Sequence, residues 1–320
     1  KMSIPTIAMI PSGYKANKIY SVLPTNGDAD LDFTRASEAT RVNQNGLIET
    51  VGVNLPRYNF DVGETCPSLL IEPQSTNLYL NSETLSTQNV TTLASTYTVS
   101  FYGTGTITFT GSYSGSLVGT GANDRVTLTF TATAGTLTST ISGSVKKGQL
   151  ENLGYATSYI PTAATTVQRN KEVFTKTGLT SYINSQQGVI YLDCKVPFTN
   201  IQKDLMLTDG TSLNFLGFNF LNNNITAFYK ILSGVQSAIP INYTETRMKL
   251  AFLFSENNFK FFINGSQVGA DTLGSVAPAN TFDTLSSNRS PFNDWFGEIY
   301  ELQIYNTTLT DAELITLTTL

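Results

Sequence analysis

Polar and hydrophobic residues alternate along much of this chain, which is the period of a half-buried β-strand. The segments Thr106–Thr110 and Val126–Thr131 place apolar side chains on one face and hydroxyl groups on the other. Toward the C-terminus the segments become longer and more aromatic, and Asn264-Gly265 separates two of them as in a tight hairpin turn. The pattern predicts strands at residues 97–102, 106–110, 125–131, 136–141, 188–196, 214–220, 225–231, 247–254, 258–263 and 297–305.

The two ends of the chain follow different patterns. The first eighty residues contain prolines spaced too closely for long helices or long central strands, so we expect short strands there, with a small hairpin at Asn45-Gly46. Near the C-terminus, Thr310 and Glu313 have the spacing of a capping box and precede apolar residues at helical spacing, which predicts one short helix. Residues Pro161–Arg169 are typical of a linker.

These patterns together predict an all-β protein in three parts. Residues 1–80 form an irregular N-terminal segment, residues 81–165 a jelly roll or β-sandwich, and residues 166–320 a second β-sandwich that ends in the short helix.

Composition removes several classes of function. The 320 residues include no histidine, which excludes Ser-His-Asp and Cys-His catalysis and histidine-based zinc sites. The net charge is −5, and no basic stripe interleaves with aromatic residues, so we expect neither nucleic acid nor an anionic membrane surface as a partner. From the sequence pattern we expect no membrane span, no signal peptide and no cofactor. Cys66 and Cys194 are typical of two independent apolar residues, although one long-range disulfide stays open.

Several motifs resemble segments of known families. Four runs resemble the N-terminal region of virion fibre proteins from tailed bacteriophages, including crAss-like ones. They are Tyr20–Asn43, Gly46–Glu49, Asn54–Arg57 and Cys66–Leu78. The run Gly148–Thr162 is similar to the end of the sugar-binding-like jelly roll that follows in those proteins. Residues 186–320 are similar to the laminin-G and concanavalin A-like lectin fold. Three further runs carry this similarity: Arg247–Leu253, Phe261–Gly265 and Phe296–Tyr305.

The resemblance implies a tail fibre or head fibre located in the virion. Such a protein attaches to other virion proteins through its N-terminal region, is often a homotrimer, and displays lectin-like domains that adhere to host-surface glycans. Two alternatives stay open at this point. One is a depolymerase that degrades capsule polysaccharide, and the other is a purely structural decoration that binds no ligand.

Three carboxylates at alternate positions, Asp28, Asp30 and Asp32, imitate the start of a calcium-binding loop. The imitation ends soon after, because Phe33 stands where such a loop needs glycine and Ala39 stands where it needs a bidentate glutamate. We therefore expect no metal site, and instead the solvent-facing side of a strand whose carboxylates pair with Arg35 or Arg41.

Glu298 and Glu301 are the candidates for a glycosidase pair, which requires two carboxyls about 5 Å apart across one sugar bond when the enzyme retains configuration. An offset of three residues places them on opposite faces of a regular strand, and only a bulge, for instance at Gly297, would change that. The Glu-x-Asp-x-x-Glu signature of lectin-fold glucanases is absent, and the other acids, Asp193, Asp204 and Asp209, have no partner carboxylate in the sequence pattern. We predict no catalytic site.

The best candidate for a ligand site is the triplet Asn293, Asp294 and Trp295, which contains the only tryptophan of the chain. Sugar sites commonly combine an aromatic face with amide and carboxylate groups that bind hydroxyls. The alternative is that Trp295 packs in the core, as a single tryptophan at the start of a strand commonly does.

Overall fold

The computed structural model describes residues 3–232, 234–289 and 293–320. The strands of the first eighty residues are β1 (Ile7–Met9), β2 (Tyr14–Lys15), β3 (Lys18–Ile19), β4 (Leu31–Thr34), β5 (Ala39–Val42), β6 (Ile48–Val51), β7 (Arg57–Asn59), β8 (Ser68–Ile71) and β9 (Ser75–Asn77). The next strands are β10 (Gln88–Thr92), β11 (Ser95–Gly103), β12 (Thr106–Gly111), β13 (Gly115–Val118), β14 (Gly121–Ala132), β15 (Gly135–Ser142) and β16 (Lys146–Glu151).

The rest of the chain continues the all-β pattern. It contains β17 (Val167–Arg169), β18 (Val173–Lys176), β19 (Gln187–Lys195), β20 (Lys203–Thr208), β21 (Phe215–Leu221), β22 (Asn224–Ile231), β23 (Gly234–Asn242), β24 (Arg247–Ser255), β25 (Asn258–Ile263), β26 (Ser266–Asp271), β27 (Thr284–Ser286), β28 (Asn288–Arg289), β29 (Asn293–Asp294), β30 (Gly297–Tyr305) and the helix α1 (Asp311–Thr318). The all-β prediction is confirmed. In the described ranges no helix has the length and apolar character that crossing a membrane requires.

Local sequence signals account for several of these elements. Asn264 and Gly265 both have positive φ, as a tight turn between β25 and β26 requires, and the predicted hairpin is confirmed. The predicted hairpin at Asn45-Gly46 is confirmed as β5 and β6. Thr310 accepts a hydrogen bond from the Glu313 amide while the Glu313 side chain returns to Thr310, so the capping box begins α1 as predicted.

Two large sheets pack face to face into the larger of two sandwiches. Sheet I has the order β26-β25-β24-β19-β30-β8-β7, with β1 also paired to β30, and sheet II has the order β2-β3-β4-β18-β27-β20-β21-β22-β23. Leu192 and Phe252 from sheet I meet Phe33 and Phe218 from sheet II in the shared core, and all four side chains are fully buried. α1 covers part of the outer face of sheet I through Leu314.

The first eighty residues supply strands to both large sheets. β1, β7 and β8 belong to sheet I, and β2, β3 and β4 belong to sheet II. The predicted division of the chain at residues 80 and 165 stays a prediction. The strand pairing shows that the N-terminal strands complete the same sandwich as the C-terminal strands, because β1 and β8 both pair with β30.

The smaller sandwich packs the sheet β10-β15-β12-β13 against the sheet β14-β11-β16. Its separate core includes Val99, Phe101, Ile107 and Phe109. Along β12, Ile107 and Phe109 alternate with outward threonines as the sequence pattern predicts. The chain enters this sandwich after β9 and returns as β17, and these two strands pair with each other. The predicted linker at residues 161–169 therefore ends in a hydrogen-bonded strand.

Five charged side chains are buried together where the two sandwiches meet. Arg35, Arg57, Arg169, Glu72 and Glu172 are each at most 7% exposed, and we call them the junction network. Arg35 Nη1 lies 2.7 Å from Glu172 Oε1, and Arg57 binds both glutamates. Arg169 Nη1 lies 2.8 Å from Glu72 Oε2. Because every charge has an oppositely charged neighbour, the network offsets the large free-energy cost of removing these ions from water.

The prediction that Asp28, Asp30 and Asp32 pair with Arg35 or Arg41 is wrong. Arg35 faces inward from the end of β4 to reach Glu172, and Arg41 pairs across its own hairpin with Glu49. Asp32 pairs instead with Lys18 on the neighbouring strand β3, where the two side chains lie on the same exposed face.

The junction network predicts a specific acid sensitivity. Burial disfavours the charged form of Glu72, but Arg169 and Arg57 outweigh burial and lower its pKa to about 2. Because the folded pKa is below the unfolded value, the network stabilises the protein fully above about pH 4.5, and that stabilisation, about 3 kcal/mol, is lost as the pH falls toward 2. We expect the Glu72→Gln variant to lose this pH dependence and about 3–5 kcal/mol of unfolding free energy at pH 7.

Urea unfolding between pH 2 and 7 measures both effects. The matched control is Glu49→Gln, which breaks the partly exposed pair with Arg41 and should cost less than about 1 kcal/mol. A Glu72→Gln variant as stable as the wild type at pH 7 would contradict a stabilising role for the network.

The strand pairing also predicts the outcome of truncation. A chain that starts at residue 81 lacks β1, β7 and β8 from sheet I and β2, β3 and β4 from sheet II, so core residues such as Leu192 and Phe252 would face water. We expect this fragment to aggregate when expressed, as judged by its absence from the soluble fraction and by size-exclusion chromatography. A soluble fragment with a cooperative unfolding transition would show that residues 1–80 are dispensable for the fold.

Candidate functional site

A groove runs along the outer face of sheet II. On β20, Leu205 and Leu207 point into the core, whereas Met206 and Thr208 point outward and form part of the groove floor. The groove has a volume of about 490 Å³. We call it the outer groove, and its lining residues are Thr175, Thr177, Met206, Thr208, Gly210, Thr211, Ser212, Thr284, Ser286 and Asn288.

The hydroxyl groups of the groove floor donate their hydrogen bonds to acceptors within the protein. Thr208 Oγ1 shares its one proton between the carbonyl oxygens of Thr211 and Asn214, each at 3.0 Å. Ser286 Oγ donates to the carbonyl oxygen of Asn288 at 2.8 Å, and Thr284 Oγ1 donates to the side chain of its neighbour Asp283 at 2.7 Å. Thr208 Oγ1 and Ser286 Oγ each also accept one backbone hydrogen bond, from the amides of Gly210 and Asn288. Since a hydroxyl has one proton and two lone pairs, each of these groups keeps a lone pair that can accept a hydroxyl proton of a ligand.

Asp209 fixes the loop that forms one wall of the groove. Its Oδ1 accepts hydrogen bonds from the amide and the hydroxyl of Thr211, and its Oδ2 accepts one from Asn214 Nδ2 at 2.6 Å. Burial opposes ionisation of Asp209, but the hydrogen bonds from Asn214 and Thr211 outweigh it and lower the pKa of the carboxyl. Asp209 is thus a structural carboxylate and not a proton donor.

An apolar surface adjoins the groove on the same face of sheet II. Met206 packs with Phe215 and Phe228, whose rings meet edge to face with centroids 4.9 Å apart. Lys230 Nζ lies 5.3 Å from the Phe215 ring centroid. Met206, Phe215 and Phe228 are nearly buried, so they form an apolar floor and not a protruding aromatic platform.

The structure separates the predicted triplet. Trp295 is fully buried in the large core, edge-on to Phe220, so its ring face is not available to a ligand. Asn293 and Asp294 lie in β29, which flanks β20 at the end of the groove. Asn293 Nδ2 donates to Asp204 Oδ2 at 3.1 Å.

Asp294 joins the groove lining to a lysine. It accepts a hydrogen bond from Asn288 Nδ2 at 2.5 Å and pairs with Lys171 Nζ at 2.7 Å. Because Asn288 lines the outer groove, Asp294 orients one of the lining amides. The polar part of the triplet thus borders the groove while the tryptophan supports the core beneath it.

Glu298 and Glu301 lie on the same face of β30, contrary to the prediction for a regular strand. The register against β19 shifts at this point: Ile299 pairs with Cys194 whereas Glu301 pairs with Asp193, so Tyr300 is an extra residue. Ile299 and Leu302 both enter the core, which leaves both glutamates on the outer face of sheet I. The bulge is at Tyr300 and not at Gly297.

The two glutamates nevertheless have different partners. Glu298 Oε2 accepts a hydrogen bond from Ser68 Oγ at 2.5 Å, and its Oε1 lies 3.4 Å from Lys195 Nζ. Glu301 Oε1 accepts a hydrogen bond from Gln303 at 2.5 Å. Asp193, opposite Glu301, pairs with Arg247 at 2.8 Å, and burial raises its pKa in spite of that guanidinium.

The remaining predicted residues are distributed among separate contacts. Asp28 accepts a hydrogen bond from Tyr182, and Asp30 accepts one from the Ser21 amide. In the described part of the chain, no three acidic or cysteine side chains are close enough together to hold a metal ion. Cys66 and Cys194 are both unpaired, the first exposed and the second buried, so the disulfide that the sequence left open does not form.

The outer groove itself was not predicted from the sequence. Its floor comes from β18, β20 and β27, which are distant in sequence and adjacent only in sheet II. A weak signal was present, because Thr284, Ser286 and Asn288 place small polar groups at alternate positions. That signal could not be distinguished from the many other threonine and serine alternations in the chain.

Comparison with known proteins identifies the fold of this region. Residues 206–315 match the model of the concanavalin A-like lectin/glucanases superfamily, so the resemblance noted for residues 186–320 is confirmed over that range. These residues extend from β20 to α1 and include most of the groove lining. No curated protein sequence matches the chain.

Solved structures with a similar fold are distant. The carbohydrate-binding module of a Ruminococcus gnavus sialidase, bound to α2,3-sialyllactose, is 17% identical over 42% of this chain and 83% of its own, with a TM-score of 0.37. The NanB sialidase of Streptococcus pneumoniae is 13% identical over 45% of this chain and 26% of its own, with a TM-score of 0.38. The binding domain of botulinum neurotoxin DC, in complex with rat synaptotagmin II, is 12% identical over 46% and 40%, with a TM-score of 0.37.

Proposed function

We propose that this protein is a non-enzymatic component of a phage virion appendage, a tail or head fibre, that binds host-surface glycans in the outer groove. The observation that carries the binding role is the groove itself: a depression on the face of a concanavalin A-like sandwich, lined by hydroxyl and amide groups that act as acceptors. A sugar presents many hydroxyl donors at short spacing, which is the complement of such a lining.

The virion role rests on the resemblance of the N-terminal motifs to phage fibre proteins. Because the N-terminal strands lie within the large sandwich, attachment to other virion proteins falls to the exposed loops between them. Val62, in the loop between β7 and β8, is 99% exposed, and Leu47, at the turn between β5 and β6, is 62% exposed. In a homotrimer, three weak sites would give firm adhesion, since binding at one site raises the effective concentration of the glycan at the others.

The test is binding of purified protein to host surface polysaccharide, followed by size-exclusion chromatography that records both protein co-elution and polymer size. We expect co-elution with polymer of unchanged length. Ser212→Trp, whose bulky ring would occupy the groove from an exposed wall position, should weaken binding by about tenfold or more, which corresponds to about 1.4 kcal/mol.

The matched control is Ser116→Trp, an exposed serine on β13 of the small sandwich, which should bind as the wild type does. Equal binding by Ser212→Trp and the wild type would exclude the outer groove as the glycan site. Shortened polymer would favour the depolymerase, and loss of shortening in Glu298→Gln would then assign that activity to the outer face of sheet I.

A further inference from the structure

A second cleft lies where the two sandwiches meet. Two adjoining depressions of about 250 Å³ and 190 Å³ share Leu70, Glu72, Ala156 and Glu298, and we call them together the junction cleft. It lies apart from the outer groove, which is on sheet II, since no lining residue is common to both. Because Glu72 belongs to the buried junction network, the cleft has fixed walls before any ligand enters.

The larger depression has an aromatic and apolar wall. The rings of Tyr155 and Phe296 stack nearly parallel, with centroids 5.5 Å apart, and Lys203 Nζ lies 4.5 Å from the Phe296 centroid. Leu70 and Pro197 add aliphatic surface. Tyr155 is partly exposed, whereas Phe296 is buried, so the tyrosine is the ring that a ligand would meet.

Most charges that line the cleft are compensated by a neighbour. Glu298 shares Lys195 with Asp61, Glu72 pairs with Arg57 and Arg169, and Arg41 pairs with Glu49.

Arg125, on β14 of the small sandwich, differs. Its Nη2 donates to Ser100 Oγ at 2.8 Å, and no carboxylate of the described residues lies within ion-pair distance of it. Among the described lining cations of the junction cleft, Arg41, Lys195 and Arg125, only Arg125 therefore has no carboxylate partner.

Two hydrogen-bond donors in the walls lack acceptors. Arg125 Nε and Tyr155 Oη are both shielded from solvent and have no partner in the described structure. A buried donor without an acceptor is unfavourable, and such groups in native proteins commonly bind water or a ligand. Both donors belong to residues that line the cleft, one in each depression.

We propose that the junction cleft binds an acidic sugar, a hexuronate residue, whose carboxylate pairs with Arg125 and whose ring lies against Tyr155. The carboxylate supplies the missing counter-charge for the guanidinium, and the partly exposed ring of Tyr155 offers an apolar face to the sugar ring. This site is independent of the outer groove, whose lining offers hydroxyl acceptors and is bordered by the carboxylates Asp209 and Asp294.

The test is a titration of the full chain with sodium glucuronate. Binding is monitored by NMR chemical-shift changes and by the fluorescence of Trp295, the residue next to Phe296. Glucose is the neutral comparison and sodium sulfate the inorganic one. We expect glucuronate to bind at least tenfold more tightly than either, and binding to weaken as ionic strength rises. Equal binding of glucose would overturn the acidic specificity, and equal binding of sulfate would overturn the role of the sugar ring.

Variants locate the site. Arg125→Gln removes the charge, and Ala156→Leu fills space common to both depressions. Each variant should weaken glucuronate binding at least tenfold. Lys146→Gln, an exposed lysine of β16 with the same change in net charge, should leave it unchanged, as should the groove variant Ser212→Trp. Unchanged binding in both Arg125→Gln and Ala156→Leu would overturn the proposal, whether or not polysaccharide binds in the outer groove.

Discussion

The pairing of Glu72 and Glu172 with three buried arginines is the interaction on which the arrangement of this protein depends. Each ion would cost several kcal/mol to bury alone, so the network is stable only when all its members are present in one geometry. Its members come from segments far apart in the sequence, and Ser158 at the exit of the small sandwich adds hydrogen bonds to Glu72 at 2.6 and 2.7 Å. The fold must bring all of them together, and this fixes the small sandwich relative to the large one.

The same network gives a physical meaning to the motifs that resemble phage fibre proteins. Arg35, Arg57, Glu72 and Ser158 each lie in one of the runs that carry the resemblance. Glu151, in the last of these runs, is fully buried and accepts a hydrogen bond from Ser75 Oγ at 2.6 Å. Four of the five runs therefore contribute to the junction between the two sandwiches, whereas the fifth, Gly46–Glu49, forms an exposed hairpin turn. The motifs bear on architecture directly and on virion attachment only through the resemblance.

Local patterns predicted what local physics determines. The alternation that defines β12 and β14, the turn at Asn264-Gly265 and the capping box at Thr310 each depend only on residues that are close together in the sequence. β20 was missed because the side chains on its groove face are nearly as buried as those on its core face, so its sequence lacks the usual alternation. β23 was missed because it contains Pro240.

Long-range features had no such signal. The pairing of β1 and β8 with β30 and the bulge at Tyr300 depend on register between distant strands. The position of Trp295 followed the alternative that a single tryptophan packs in the core, because burial of a large ring outweighs its use as an exposed surface.

A rigid junction has a consequence for the two proposed sites. The outer groove is built on sheet II, and β18, which contributes to it, begins directly after Glu172 of the junction network. The junction cleft is formed by that network and the strands beside it, so the two sites are held at a fixed separation. A polymer that contains both neutral and acidic sugars could occupy both, and its second contact would then be intramolecular, with an effective concentration set by geometry and not by a flexible linker. Burying charged groups at the junction would in this way contribute to recognition as well as to shape, because the same network that forms the junction cleft also fixes its distance from the outer groove.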